Sequence, residues 1–262
     1  MKKQYKLLPP IKPSDKIDRE YRNALFALID QMQKSVEWYC KAAFKPLEKE
    51  QAKLGMLDAD PVNNLQRVIN EVKKRYIKRF NDLSGKLPKA VVEKIAKEVK
   101  RKIKSHLIDI MTVDLRFSKA QKMLLNALTK ENVTLIKSIP MEYFKRVEYD
   151  IMSTVTEGRD MATLSDKLSK GYGITRRRAI MIAYDQTNKI TESFDRAEKI
   201  ELGLFEAEWK HSHASQVPRQ SHLRADGKRY DIRKGCYIDG EYIHPAQKIN
   251  CNCFSRTILP VK

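Results

Sequence analysis

Three of the four cysteines and four of the five histidines of this chain fall between Trp209 and Cys253. Composition does not produce such crowding, and it points to a metal, a redox pair or a buried polar centre. Side chains two apart on an extended chain point the same way, so Cys251 and Cys253 present two thiols on one face. A soft ion such as zinc takes thiolate sulfur at about 2.3 Å. His222 or His213 is available for nitrogen, and Cys236 for a third sulfur. Cys-x-Cys is not the usual Cys-x-x-Cys zinc spacing, however. The same residues also suit a metal-free arrangement, with two small buried thiols and a hydrogen-bonded His222 in a tight loop. Both readings stay open: no cofactor, or a structural zinc on His222, Cys251 and Cys253. No glutamate is placed as the general base of a catalytic metal, and cysteines two apart are poor disulfide partners.

Other candidates sit around this cluster. Trp209 lies on the apolar side of an alternating segment, where tryptophan is more often core than binding surface. Pro218-Arg219 with His222 has the look of a specific turn, since both side chains can bond loop carbonyls. Gly227 follows Asp226 as a turn pair, and Pro245 and Asn250 punctuate the approach to the cysteines. Arg176, Arg177 and Arg178 are expected at a helix start, either as solvated charges or as a site for phosphate or an acidic partner. Cys40 falls on the apolar face of a helix and reads as core. No phosphate-binding loop or Gly-x-Ser-x-Gly elbow appears, and Gly171-Tyr172-Gly173 lacks the third glycine of a dinucleotide fingerprint.

These residues must be positioned by helices followed by strands, a predominantly helical α+β fold. Apolar residues recur three and four apart from Asp15 to about Leu54: Leu25, Leu28, Ile29, Met32, Val36, Tyr39, Cys40, Ala43, Phe44 and Leu47. Pro46 is expected to kink or end this helix. Asp60-Pro61 opens a second, with Val62, Leu65, Ile69, Val72, Tyr76 and Phe80 on its buried stripe. Ser84-Gly85 is expected to break it, and Pro88 to open a third carrying Val92, Ile95, Val99, Ile103 and Leu107. A second block starts near Ser118. Pro140 is expected to open a new helix, Gly158, Gly171 and Gly173 to mark turns, and Thr175 to begin a long helix that ends at Gly203. From Phe205 the period changes to two. Strand-like pieces at Lys228 to Ile232, Tyr242-Ile243 and Phe254 to Leu259 are separated by Asp-Gly turns at 226–227 and 239–240. The expected organisation is a basic helical arm over 1–117, a helical block over 118–203, and a small mixed or β module over 204–262.

Lysine and arginine number 52 against 33 acidic residues, a formal net charge of +19. Such a surplus attracts polyanions without reading sequence, and no zinc-finger, RNA-binding or basic-zipper pattern is present. No run nears the ~20 apolar residues that cross a bilayer. The first residues lack a secretion signal, so a soluble protein kept in the cytoplasm of its cell is expected.

An ordered set of segments resembles the bacteriophage Mu F-like minor head proteins, or head morphogenesis proteins. It comprises Glu131-Asn132-Val133 through Ile139-Pro140 to Tyr143-Phe144, then Gly173-Ile174-Thr175 with Arg178-Ala179, and Ile182-Ala183-Tyr184-Asp185-Gln186-Thr187-Asn188-Lys189. Leu202-Gly203-Leu204, Trp209, Pro218-Arg219-x-x-His222, Gly227-Lys228, Pro245 and Ile249-Asn250-Cys251-x-Cys253 complete it. Tyr184 and Asn252 stand where the family often has arginine, and Ala214 and Ser215 where an acidic residue is common. The likeness covers roughly 131–254. It implies a structural virion protein rather than an enzyme, made in the host bacterial cytoplasm and carried inside the head near the portal. The implied partners are the portal protein, a major capsid or scaffolding protein, and packaged double-stranded DNA, with no membrane; residues 1–117, outside the likeness, are read as a dock for the portal, a capsid protein or a scaffold. The alternative is a metal-dependent nuclease using the His/Cys cluster.

Overall fold

Apolar stripes at helical spacing become four long helices: α1 (Asp15–Leu54), α2 (Ala59–Leu107), α3 (Lys119–Thr156) and α4 (Met161–Glu201). A short strand β1 (Tyr5–Leu7) precedes them. After them come β2 (Glu206–Lys210), the one-turn α5 (Gln220–Arg224), β3 (Arg229–Asp231), β4 (Cys236–Ile238), β5 (Glu241–Ile243) and β6 (Phe254–Pro260). The fold is thus predominantly helical α+β. This computed structural model describes residues 5–54, 59–157, 160–213 and 217–260, with side chains except in 44–54, 59–62 and 260. The side chains of Phe44, Pro46, Leu47, Asp60, Pro61 and Val62, and Gly158, Ala214 and Ser215 entirely, lie outside the described residues. No helix of the described residues is long and apolar enough to cross a membrane.

The helices run through most of the breaks expected of them. α1 continues past Pro46 to Leu54. α2 contains Ser84, Gly85 and Pro88 without interruption, so the expected third helix is its second half. Pro140 lies inside α3, and Gly171, Gly173 and Thr175 lie inside α4, which begins at Met161. An internal proline removes one backbone bond and crowds a carbonyl. Packing on both sides outweighs that loss: Phe80, Val91 and Val92 flank Pro88, and Ile136, Tyr143 and Phe144 flank Pro140, all buried. Gly171 serves close approach rather than a turn. A Cβ there would meet Arg146 Cδ at 3.2 Å.

The chain forms two compact units, neither contiguous in sequence. One takes 20–88 and 131–180. Its core contains Leu25, Ile29, Met32 and Val36 of α1, Ile69, Val72 and Phe80 of α2, and Phe144 and Val147 of α3. Buried hydroxyls in it find partners: Tyr21 donates to Asn132 Oδ1 at 2.8 Å, and Tyr143 to Gln33 Oε1 at 2.5 Å. Cys40 is fully buried there, its thiol pushed up to about 12 by desolvation. That is a core role.

The other unit takes 1–19, 89–130 and 181–262. Its four-stranded sheet has the order β1-β6-β2-β3, and all its pairs are antiparallel. β4 and β5 form a separate hairpin. The alternation read from Phe205 onward is β2, with Ala207 and Trp209 inward. Both Asp-Gly turns form: Gly227 has φ 81°, and Asp239 and Gly240 have φ 53° and 84°, the left-handed pair that a two-residue hairpin loop requires. Gly203 ends α4 with φ 74°. Sequence periodicity did not anticipate β1, β4 or α5.

Ile69 is 1% exposed. Ile69→Asp places an unpaired carboxylate in an apolar core and should cost several kcal/mol, more than about 3. Thermal denaturation checks this, and an unchanged melting temperature would show that the α2 stripe does not pack.

Candidate functional site: a buried His/Cys centre

The centre is assembled from the two ends of the long excursion between β2 and β6. Arg219 precedes α5, and its Nη2 donates to the Ile249 carbonyl at 2.9 Å. One turn later His222 points inward, 4% exposed. Its Nδ1 lies 3.5 Å from Cys251 Sγ and 3.6 Å from Cys253 Sγ. Both sulfurs are as buried as the ring, at 3% and 4%. The fully buried Trp209 meets the imidazole edge to face, centroids 5.3 Å apart, and meets Tyr230 at 6.3 Å. Trp209 Nε1 has no formal hydrogen-bond partner, yet the indole lies where it favours a negative Cys253 sulfur. Cys251 is pulled down to about 6, first by the bond from Cys253, then by backbone N–H groups of Cys253 and Ala246 and by His222, with burial opposing. Cys253 is correspondingly raised.

The remaining signature residues shape the backbone around this centre. Gly227 donates its N–H to the Trp209 carbonyl at 2.8 Å, closing the Asp226-Gly227 turn onto β2. Pro245 is buried, and Ala246 beside it adopts φ 56°. Asn250 also takes a left-handed φ of 57°, which asparagine tolerates better than most residues, and its N–H donates to Asp185 Oδ1 at 2.8 Å.

Two residues considered as ligands stand apart. Among the described residues the group that closes within 4.8 Å is His222, Cys251 and Cys253, without Cys236 or His213. Cys236 packs in the apolar core of the module with Ile238 and Ile243. His213 is exposed with φ 55°, and its N–H donates to His211 Nδ1. The arginine run differs from expectation more strongly, because it lies within α4 rather than at a helix start. Arg176 bonds Asp30 at 2.5 Å and stacks 3.8 Å from the Phe26 ring centroid. Arg178 bonds Glu142 and Ser138, both at 2.9 Å. Only Arg177 of the three is solvent-exposed.

Sequence reasoning missed a polar stripe on α4. Asp185, Asn188 and Glu192, spaced three and four apart, all reach the cysteine segment. Asp185 accepts from Asn250, Asn188 Nδ2 donates to Asn252 Oδ1 at 3.1 Å, and Glu192 Oε2 accepts the N–H and hydroxyl of Ser255 at 3.2 and 3.1 Å. The visible signal was a helix with polar residues at core spacing. Burial, then the charge of Asp195, holds the Glu192 carboxyl well above its ordinary value, against the opposing pull of Lys199 and Ser255. Asp195 is raised as well by burial, although it is bonded to Lys199.

No protein-family profile matches the chain, and no solved structure does. It is 27% identical over 260 residues to an uncharacterized protein of Haemophilus influenzae, across 95% of this chain and 55% of that one. The chain therefore spans about half the length of the curated relative it matches.

Glu192 yields a pH prediction. Folding raises its carboxyl above the ordinary 4.5, so the folded state keeps a proton that the unfolded chain releases. Stability therefore falls as pH rises above that value. Glu192→Gln keeps an oxygen for Ser255 and removes the ionisation. Its melting temperature should exceed the parent's at neutral pH, and its decline between pH 5 and 8 should be shallower. Parallel profiles for the two proteins would refute the assignment.

Proposed function

We propose that this chain is a structural minor protein of a tailed-bacteriophage head, held inside the capsid beside the portal, in non-specific contact with packaged double-stranded DNA, and not an enzyme. The observation that carries the reading is the fate of the signature residues. The resemblance was noted on Trp209, Arg219, His222, Gly227, Pro245, Asn250, Cys251 and Cys253, scattered over some forty-five positions. In the fold they are the core, turns and ties of one small module. A motif made of such parts describes an architecture rather than a catalytic centre, as an assembly protein would carry. The thiols also favour holding over reacting, since at 3% and 4% exposure they offer a substrate no approach.

DNA contact rests on charge. With a net +19 the protein attracts a polyanion at long range. A diffuse contact of this kind neutralises phosphates and releases counterions, so affinity is sequence-independent and steep in salt. The Arg176–Arg178 run contributes little to it, because Arg176 and Arg178 are bonded to Asp30 and Glu142. Docking to the portal, and to a major capsid or scaffolding protein, belongs to the same proposal.

Two measurements test it. Co-expressed with the portal and major capsid proteins of its phage, the chain should co-purify with assembled heads; its absence from heads and from portal complexes would end the proposal. Binding to duplex DNA of unrelated sequences should be equal, and should fall by orders of magnitude between ~50 and ~200 mM salt for about six to ten phosphate contacts. A flat salt response would assign the charge to solubility or to an acidic protein.

A further inference from the structure

We propose that His222 Nδ1, Cys251 Sγ and Cys253 Sγ are the protein ligands of one zinc ion. The inference stands on the geometry of the centre and is independent of the head-protein reading.

The distances discriminate between a hydrogen-bonded triad and a metal centre. An imidazole Nδ1 carries either one N–H or one lone pair, so it makes one good hydrogen bond and has no reason to sit equidistant from two sulfurs. His222 Nδ1 is nonetheless 3.5 Å from Cys251 and 3.6 Å from Cys253. Zinc bonds of about 2.3 Å to sulfur and 2.0–2.1 Å to nitrogen, at a tetrahedral angle, place nitrogen and sulfur about 3.6 Å apart. Both nitrogen–sulfur distances are those an ion between the donors requires, and all three donor atoms lie within 4.8 Å of one another.

Their surroundings are dry: His222 is 4% exposed, Cys251 3% and Cys253 4%. Burial of two negative sulfurs is by itself prohibitive. Two thiolates, a neutral imidazole and a divalent cation sum to zero charge, which removes that objection. On binding, each remaining S–H gives its proton to solvent as its sulfur–zinc bond forms, and no oxidant or reductant is needed. Among the described residues no further His, Cys or carboxylate joins the group, so the fourth position falls to a water or another small donor.

The position also explains a need. His222 and the cysteines are 29 and 31 residues apart, and the chain between them makes only short strands and turns. A single ion closes that loop. Ligation of this kind is folding free energy for such a loop.

The test uses the full untagged chain, reduced and stripped of metal, titrated anaerobically with cobalt(II) and then zinc(II) chloride. Cobalt should saturate at one equivalent, with sulfur-to-cobalt charge-transfer bands and the visible bands of a tetrahedral thiolate site, and zinc should displace it. His222→Ala should weaken binding at least about tenfold, and Cys251→Ser with Cys253→Ser should abolish it. Cys236→Ser, outside the group, should leave it unchanged. Zinc should raise the melting temperature, and a chelator should reverse the rise. A folded parent that shows no saturable cobalt spectrum overturns the proposal even if the variants fail to fold. Binding that survives the double cysteine substitution overturns it too, and copper in place of zinc on elemental analysis overturns the choice of ion.

Discussion

One polar face of α4 holds the segment that carries the cysteines, and the C-terminal module depends on that grip. Asp185, Asn188 and Glu192 lie along a single helical stripe and take the backbone of Asn250, the side chain of Asn252, and the backbone and hydroxyl of Ser255. Ser255 is buried, so without Glu192 its N–H would lose that acceptor in a dry environment, which costs more than the contact itself contributes. The grip has a cost of its own, since it requires Glu192 and Asp195 to sit in a dry environment, where both resist ionisation.

The pairing of β6 converts this local hold into a fold. β6 pairs with β2, where Trp209 lies opposite Ser255 and Lys210 opposite Phe254, and with β1, where Leu7 lies opposite Ile258. A slip of one residue would turn Glu208 inward and Trp209 outward. The stripe on α4 fixes Ser255, and Ser255 thereby fixes the register. Trp209 then faces His222, and Cys253 precedes β6 by a single residue. Ser255 also shares a 2.6 Å hydrogen bond with Tyr230, so the third strand is tied to the same point.

Much of this was legible in the sequence, and the failures have identifiable causes. The stripes Leu25 to Cys40, Leu65 to Phe80 and Val92 to Leu107 read as buried faces, and they are buried except at Tyr39, which is half-buried. Helix continuity was not legible. Pro88, Pro140 and Gly171 break isolated helices, and only the packing around each one holds the helix together. The strand β1 was invisible because its partner lies some two hundred and fifty residues away, and three residues carry no periodicity. The residue types and the Cys-x-Cys spacing single out His222, Cys251 and Cys253, and these three come together. His213 and Cys236, further possibilities on residue type alone, stand outside the group. The Asp185-to-Asn188 run was noted as part of a resemblance. Its function, to accept and donate along one face, requires knowing what lies opposite.

Charge completes the argument, because ion pairing inside the fold cannot dissipate the surplus. Lys100 with Glu198, Lys199 with Asp195, Arg176 with Asp30, and Arg178 with Glu142 each remove one positive and one negative charge. The net +19 is untouched by any number of such pairs. It must therefore be carried by the other lysines and arginines, whose natural place is the solvated faces of the helices. Within the arginine triplet Arg176 and Arg178 are committed to internal partners, and Arg177 alone is solvent-exposed. A surplus of this size attracts polyanions at long range without reading their sequence, and it draws little on the arginine triplet.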